Sequence, residues 1–360
     1  MSAHEAHLRR ALELAALGLY TTDPNPRVGC VIANGEAVVG EGWHVRAGEP
    51  HAEVLALRAA GERARGADVY VTLEPCSHTG RTPPCADALI AAGVGRVFCC
   101  TTDPNPKVAG SGIARLRAAG IEVSVGGFAP EARALNPGFF SRFERRRPYI
   151  RLKMAMSLDA RTALAQGGQV WISGEASRAD VQAWRARSSA VLTGSGTVRC
   201  DNPELNVRLN YGPWVRQPLR VVLDTELRLS PDAKIFRGAG ALRFAANDAQ
   251  GARSVDPKVE RVPRAAGGLD LDAVVVRLAA LEINELTVEC GATLAGGFLA
   301  KGLVDEMVLY MSPNFMGEGA APLAHLHPAG AGAELTQKFA FSDVRTLGDD
   351  VRLVLTLREH

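Results

Sequence analysis

The sequence predicts two α/β domains in tandem, and three observations carry that expectation. Apolar segments of strand period and of helix period alternate along most of the chain. An Asn34-Gly35 pair joins two short β-like runs near the start, and a basic, proline-ended stretch interrupts the alternation between Gly138 and Pro148. Such alternation implies a largely parallel sheet with helices on both faces and the opening hairpin as its antiparallel edge. A chain of 360 residues also exceeds what one hydrophobic core usually serves.

From His4 to Gly18 apolar positions recur at helical spacing, and the two prolines of Asp23-Pro24-Asn25-Pro26 stop that helix. Val28–Ala33 and Ala37–Gly42 read as strands, because Asn-Gly supplies the positive φ values of a tight hairpin turn. His51–Arg63 then reads as a helix, Asp68–Leu73 as a strand, Pro84–Gly93 as a helix and Gly95–Thr101 as a strand; Val108–Ala119 and Ile121–Val125 complete the layer as helix and strand. FFSRFERRRP, residues 139–148, is basic with little periodicity and takes the domain junction. The theme restarts with strand Tyr149–Met156, helix Gly174–Arg187 and strand Ala190–Thr193. Later strands are expected at Leu219–Asp224, Ala241–Ala245, Glu285–Glu289 and Glu306–Tyr310, with a helix over Thr293–Gly302. No internal repeat is obvious, and the Gly/Ala-rich tract Gly317–Gly332 reads as a loop.

Apolar residues make up 47% and charged residues 22%, the balance of a globular protein and not of a disordered one. A formal net charge of +2 is too small to argue for nucleic acid or membrane as partner, so a small molecule is expected. Residues 1–10 lack the basic-then-apolar order of a secretory signal, and no apolar run reaches the roughly 18 residues of a membrane span. A cytoplasmic enzyme is the expectation. Seven cysteines are too sparse for a disulfide scaffold and read as free thiols or metal ligands.

The strongest chemical signal is His51-Ala52-Glu53 opening a helix, followed by Glu74-Pro75-Cys76 after a strand and Pro84-Cys85 at the next helix start. In a parallel sheet those strand ends and helix starts meet at one edge. One imidazole and two thiolates suit zinc, and three protein ligands leave the fourth tetrahedral position for water, which is catalytic geometry. Glu53, two residues after His51, leans toward that water without binding the metal and carries its proton. Taken singly, a histidine or cysteine in such a chain is a helix cap or core filler; the three in this order on these elements are a metal site. The pattern H-x-E followed by P-C-x-x-C belongs to zinc deaminases of nucleobases, but here eight residues separate Cys76 from Cys85. Cys30, Cys99, Cys100, Cys200 and Cys290 keep the structural reading.

PNPRVGCVI from Pro24 to Ile32, GEPHAEV from Gly48 to Val54 and TLEPCSHTGRTPPC from Thr72 to Cys85 resemble the deaminase domain of the bifunctional riboflavin-biosynthesis family. The resemblance makes the eight-residue gap expected and implies that Arg81 grips a substrate phosphate while Asn25 and His44 line the pocket. KMAMSLDART (Lys153–Thr162), TGSGTVRCDNPELNVR (Thr193–Arg208) and VECGATLAGGFL (Val288–Leu299) are similar to the family's pyrimidine reductase domain. The fold so implied is a cytidine-deaminase-like three-layer α/β/α domain over residues 1–146, followed by a dihydrofolate-reductase-like α/β domain over 147–360.

The resemblance further implies NADPH as cofactor, with Ala155, Trp171, Thr197, Asp201, Gly291, Ala292, Thr293, Leu294, Ala295, Gly296 and Gly297 beside it. Lys153, Gln169, Arg185, Leu205, Arg208 and Glu289 become substrate neighbours, with Lys153 and Asp201 nearest the reacting sugar. A strand running into glycines before a helix suits close approach to a cofactor phosphate, although helix–strand packing explains such glycines equally well, and Cys290 stands where the family often has glycine. The implied reactions are loss of the 2-amino group from a phosphoribosylaminopyrimidine and then reduction of its ribosyl group to ribityl, in a homodimer or homotetramer. The alternative is a nucleoside or transfer-RNA deaminase with an unrelated second domain; the low net charge and 6% aromatic content speak against it.

Overall fold

The computed structural model describes residues 2–77, 84–163, 171–238, 240–250, 258–326 and 338–358. The chain divides into two compact units, Met1–Arg146 and Arg147–His360.

The first unit runs α1 (Ala3–Ala16), β1 (Gly29–Asn34), β2 (Ala37–Trp43), α2 (Ala52–Ala60), β3 (Asp68–Val71), α3 (Cys85–Ala92), β4 (Arg96–Cys99), α4 (Ser111–Ala118), β5 (Glu122–Val125), α5 (Ala129–Leu135) and α6 (Pro137–Glu144). Ser2 and Glu5 form a capping box that starts α1, and Gly35 takes the left-handed φ of 62° that the β1–β2 turn needs. The sheet order is β2-β1-β3-β4-β5. β1 is antiparallel to both neighbours, and β3, β4 and β5 are parallel. Alternation along β1 sends Cys30 and Ile32 to a core with α2, α3 and α4, and Val31 and Ala33 to a core with α1 and α5. The result is the three-layer α/β/α arrangement expected from the sequence.

Small residues let α2 approach the sheet closely. Ala52, Ala56 and Ala60 form its buried face, and a Cβ built on Gly42 of β2 would lie 2.4 Å from the Ala52 carbonyl oxygen. The stretch read as an aperiodic junction contains α6, whose Phe139 and Phe140 pack with Leu73. A helix of 8 residues spans barely two turns, too few for its period to stand out against three consecutive arginines.

The second unit runs β6 (Tyr149–Met156), β7 (Arg161–Ala163), α7 (Glu175–Arg187), β8 (Ala190–Gly194), α8 (Ser195–Asp201), β9 (Leu219–Leu223), β10 (Ala241–Ala246), β11 (Lys258–Val262), β12 (Arg264–Ala265), β13 (Gly268–Leu269), α9 (Leu271–Ala280), β14 (Glu285–Glu289), α10 (Ala292–Ala300), β15 (Glu306–Met311), β16 (Ala321–Pro322), β17 (Phe339–Leu347) and β18 (Asp350–Leu357). Its main sheet has the order β11-β10-β9-β8-β14-β6-β15-β18-β17. Strands from β11 to β15 are parallel, and β18 and β17 close that side antiparallel. α9 and α10 cover an apolar face built on Ile150, Leu152, Leu286 and Val288. The opposite face, under α7, is polar: Arg151 is fully buried between Glu285 and Glu306, with its guanidinium over the Trp184 ring.

Nine elements here go beyond the sequence reading: β7, α8, β11, β12, β13, α9, β16, β17 and β18. α9 carries Val274, Val275 and Val276 in succession, a β-branched run that masks its helical period; the signal that marks it is Asp270, whose side chain accepts the Asp272 N–H as an N-cap. The tract read as a loop, Gly317–Gly332, contains β16, which pairs with β7; its residues 327–332 lie outside the described residues.

Candidate active sites

In the first unit the ends of β3, α2 and α3 meet. His51 is the N-cap of α2 by its backbone but makes no side-chain cap bond, so its ring is available for another partner. Cys76 follows β3, and Cys85 is the first residue of α3. His51 Nδ1 lies 3.6 Å from Cys76 Sγ and 3.3 Å from Cys85 Sγ, and the three ligand atoms fall within 4.8 Å of one another. Tetrahedral zinc with bonds of about 2.3 Å to sulfur and about 2.0 Å to nitrogen requires S···N separations of about 3.5 Å, so the donor set fits that ion.

The electrostatics point the same way. The Cys85 thiol and backbone N–H both hydrogen-bond Cys76 sulfur, holding the Cys76 thiol well below its usual value. The same hydrogen bond, with burial, pushes the Cys85 thiol up. Two adjacent sulfurs can both be thiolates only with a cation between them. Glu53, in the first turn of α2, is 3% exposed, and burial raises its carboxyl to about 7, with the Cys76 sulfur adding to the rise and His51 opposing it.

His44 and Asn25 join this centre. The His44 ring sits edge-on to His51, with centroids 5.2 Å apart. Burial lowers its imidazole to about 4, so it is neutral. With Nδ1 donating to the Pro50 carbonyl at 3.2 Å, Nε2 accepts from the Asn25 amide nitrogen at 3.1 Å. Arg81 lies outside the described residues.

Three further residues organise the site: Glu74, which the sequence reading includes only as part of the Glu74-Pro75-Cys76 motif and with no role of its own, and Asp103 and Asn136, which the sequence did not single out. Glu74 is buried and accepts four backbone N–H groups from the β4–α4 segment. Asp103, in that segment, has its carboxyl raised to about 7 by burial, with Glu74 and Cys76 nearby adding to the rise. Asn136 receives the Arg27 N–H on its amide oxygen at 2.7 Å and donates to the Arg27 carbonyl at 3.0 Å, fixing the loop that carries Asn25. A signal for one of these was present: the hexapeptide TTDPNP occurs twice, at Thr21–Pro26 and at Thr101–Pro106 where it holds Asp103, which corrects the reading that no internal repeat is obvious.

In the second unit the C-terminal ends of β6, β8 and β14 adjoin. Lys153 of β6 stands beside Glu289 of β14 in the sheet register. Arg185 of α7 holds Glu289 in a two-pronged pair at 2.6 and 2.9 Å and donates to the Asn206 carbonyl. Burial alone would raise the Glu289 carboxyl, but Arg185 and Lys153 hold it below its usual value. Burial lowers the Lys153 ammonium, and Arg185 adds to the lowering against the pull of Glu289; its Nζ lies 5.6 Å from the centre of the Tyr310 ring. Arg208 contributes to the same field at Glu289.

Leu205 is buried and holds a left-handed φ of 52°, an uncommon backbone state for a branched residue. Thr197 lies within α8, and Asp201 closes that helix, exposed, with its partial desolvation raising the carboxyl. Ala155 receives the Thr162 hydroxyl on its carbonyl. Trp171 is exposed, with the Arg178 guanidinium 4.9 Å from its ring centre. Gln169 lies outside the described residues.

The glycines near α10 divide by function. Gly291 is the N-cap, with open space where a Cβ would be and no side-chain cap on the helix, so the first-turn N–H groups are available to an anion. Gly296 instead permits close packing, since its Cβ would lie 2.0 Å from the His325 carbonyl oxygen. Ala292 and Ala295 are buried on the same inner side, while Thr293 is exposed and Leu294 reaches to 3.3 Å from the Cβ position of Gly194 at the start of α8. Gly297 packs toward Leu271.

Residues 1–101 match the family described as the cytidine and deoxycytidylate deaminase zinc-binding region, and residues 148–353 match the RibD C-terminal domain. The chain is 48% identical to the riboflavin biosynthesis protein RibD of Escherichia coli over 98% of each chain. It is 43% identical to that of Haemophilus influenzae over 97% of this chain and 96% of the relative. Among solved structures, RibD of Acinetobacter baumannii matches with a TM-score of 0.91 at 42% identity, covering 99% of both chains. The Thermotoga maritima diaminohydroxyphosphoribosylaminopyrimidine deaminase/5-amino-6-(5-phosphoribosylamino)uracil reductase matches with a TM-score of 0.84 at 31% identity, again over 99% of both.

Proposed function

The chain belongs to the RibD family of riboflavin biosynthesis, enzymes that join a zinc-binding deaminase domain to a reductase domain, and from that premise we propose which residues do the work. Residues 1–146 form the deaminase, with His51, Cys76 and Cys85 holding zinc. Residues 147–360 form the reductase. The observation that carries the first assignment is the convergence of one imidazole and two sulfurs beside a buried carboxyl. The alternative of a nucleoside or transfer-RNA deaminase with an unrelated second domain falls to the match over residues 148–353.

The substrate of the first reaction is 2,5-diamino-6-(5-phosphoribosylamino)pyrimidin-4-one. Zinc, when bound, supplies the Lewis acidity that makes a water nucleophilic near neutral pH. Glu53, its carboxyl poised near 7, holds a proton on a carboxylate oxygen and moves it from the attacking water to the departing amine. Neutral His44 accepts the Asn25 N–H and so leaves the Asn25 amide oxygen to accept from the pyrimidine. Arg81 grips the phosphate.

In the second reaction NADPH supplies the hydride that converts the ribosyl group of 5-amino-6-(5-phosphoribosylamino)uracil to ribityl. The free N–H groups after Gly291 suit a cofactor phosphate, with Ala155, Trp171, Thr197, Asp201 and the stretch Ala292 to Gly297 as further neighbours. The Arg185–Glu289 pair fixes the strand end beside Lys153, and Lys153 and Asp201 lie nearest the sugar. Gln169, Leu205 and Arg208 complete the substrate contacts. Among the described residues no helix is long and apolar enough to cross a membrane. The assembly is a cytoplasmic homodimer or homotetramer acting on small phosphoribosylaminopyrimidines, without nucleic acid.

The test is Glu53→Gln, with ammonia release and nicotinamide absorbance followed in one reaction. The variant keeps its zinc and loses ammonia release by a factor of about 100 or more, yet still oxidises NADPH when given the deaminated intermediate. Undiminished ammonia release would remove Glu53 from the mechanism, and no ammonia from zinc-loaded wild-type protein would sink the deaminase assignment.

A further inference from the structure

Glu74 holds a position that the deaminase chemistry above leaves unused. Its Oε2 accepts the N–H groups of Asp103 at 3.1 Å and Gly110 at 2.9 Å, and its Oε1 those of Gly112 at 3.0 Å and Ile113 at 3.2 Å. A carboxylate offers about four acceptor sites, so this one is saturated and has no capacity left for a metal or a travelling proton. Three of the four donors belong to the start of α4: Gly110 is its N-cap, and Gly112 and Ile113 lie in its first turn. Gly110 has no side chain with which to cap, so the cap arrives from a residue 36 positions earlier in the chain.

The same contact reaches Cys76. Residues 74–77 lie along the first turn of α4. A Cβ on Gly112 would stand 1.9 Å from the Pro75 carbonyl oxygen, the Ser77 and Ser111 hydroxyls are 2.6 Å apart, and Arg115 donates to the Ser77 carbonyl at 3.3 Å. Cys76 sits in the middle of that segment. On the other side, the Glu74 backbone N–H donates to the Thr101 carbonyl, and the bond to the Asp103 N–H closes the second TTDPNP loop against the same strand exit. A buried anion at a helix N-terminus is also where the dipole favours it.

We propose that Glu74 is a positioning residue of the deaminase: one saturated carboxylate locks the Cys76 segment, the first turn of α4 and the loop bearing Asp103 into a single arrangement. The inference rests on the assignment of Cys76 as a zinc ligand. An outer-shell contact of this kind affects how long the metal stays, because the ligand's backbone can no longer swing away.

The experiment uses Glu74→Gln in the full-length chain, nearly the same shape but with two donors where two acceptors stood. Zinc transfer to a colorimetric chelator is timed, and kcat and KM for ammonia release are measured beside NADPH oxidation of the deaminated intermediate. Expected are zinc release faster by about 10- to 100-fold and a fall in kcat of similar size, with reductase turnover unchanged. Should the variant not fold, Glu74→Asp, one methylene short but still charged, serves the same comparison and is expected to release zinc faster than wild type. Wild-type zinc release and kcat in the folded variant, or a lowered melting temperature with neither changed, overturns the proposal. Loss of the premise shows separately, as wild-type protein that releases ammonia without zinc.

Discussion

Replacing Gly42 by Ala tests whether the close packing of α2 on the sheet sets the geometry of the deaminase site. The added Cβ would lie 2.4 Å from the Ala52 carbonyl oxygen and 2.6 Å from the Ala56 nitrogen, whereas ordinary contact begins at 3.4 Å. Both obstacles are helix backbone, which cannot rotate aside, so α2 must retreat by about 1 Å or β2 must bend. Overpacking of this kind costs about 1–3 kcal/mol of stability. His51 and Glu53 ride on the start of α2, while Cys76, in the segment after β3, and Cys85, at the start of α3, stay behind. A misplacement of about 1 Å at a reacting centre costs on the order of 100-fold in rate. Ammonia release should therefore fall by about that factor while NADPH oxidation of the deaminated intermediate, run on the same preparation, holds. Gly35→Asn is the control, since nothing lies within 4 Å of that Cβ position and the turn accepts asparagine. Ammonia release by Gly42→Ala within about twofold of wild type, at full zinc content, would refute the reasoning.

Two further outcomes follow from the buried charges. Arg185→Leu removes the two-pronged partner of the Glu289 carboxylate and leaves Lys153 beside it; unpairing a buried ion typically costs up to about 3–5 kcal/mol, so NADPH oxidation is lost and the second unit melts earlier while ammonia release persists. Adding Glu289→Gln should recover much of the stability, and a single variant that melts like wild type would contradict the pairing. His44 gives a pH dependence: its folded value near 4 lies below the unfolded value of about 6.5, so below that pH the unfolded chain holds more protons. In metal-free protein the first unit then loses stability as pH falls from about 6.5 through about 4, by at most about 3 kcal/mol. Urea unfolding at pH 7 and pH 5 reads the difference, which His44→Gln should flatten; an equal acid loss in the variant would assign the effect elsewhere.

The parts of this molecule that its sequence announces are those governed by short-range chemistry. Asn34-Gly35 names its turn, and His51-Ala52-Glu53 at a helix start, with two cysteines after Pro75 and Pro84, announces metal ligands because few other uses place those residues at element ends. The strands of the first unit follow from alternation. What escaped were elements whose local pattern conflicts with their structure, such as the valine run of α9, and α8, a 7-residue helix in a glycine-rich segment. The β17–β18 hairpin does carry a usable turn signal, Gly348 at a φ of 62°, but lies after a stretch read as loop.

The harder failure concerns charge. A strand that alternates apolar with charged residues normally reads as half-buried, with its charges in water. In β6 and β14 that inference fails for Arg151, Lys153, Glu285 and Glu289, because α7 lies over the polar face and the charges answer one another: Arg151 pairs with Glu285 and Glu306 of the neighbouring strands, Lys153 stands beside Glu289, and α7 adds Arg187 to Glu285 and Arg185 to Glu289. No periodicity within one strand can reveal that its charges are answered by strands and a helix elsewhere in the chain. The same applies to Glu74, whose four donors come from residues 103 to 113. Residues at element ends advertise their chemistry locally; those that hold the ends in place act through partners distant in sequence. A buried carboxylate or guanidinium with every hydrogen-bonding position filled is therefore the feature by which the structure adds most to the reading of such a site.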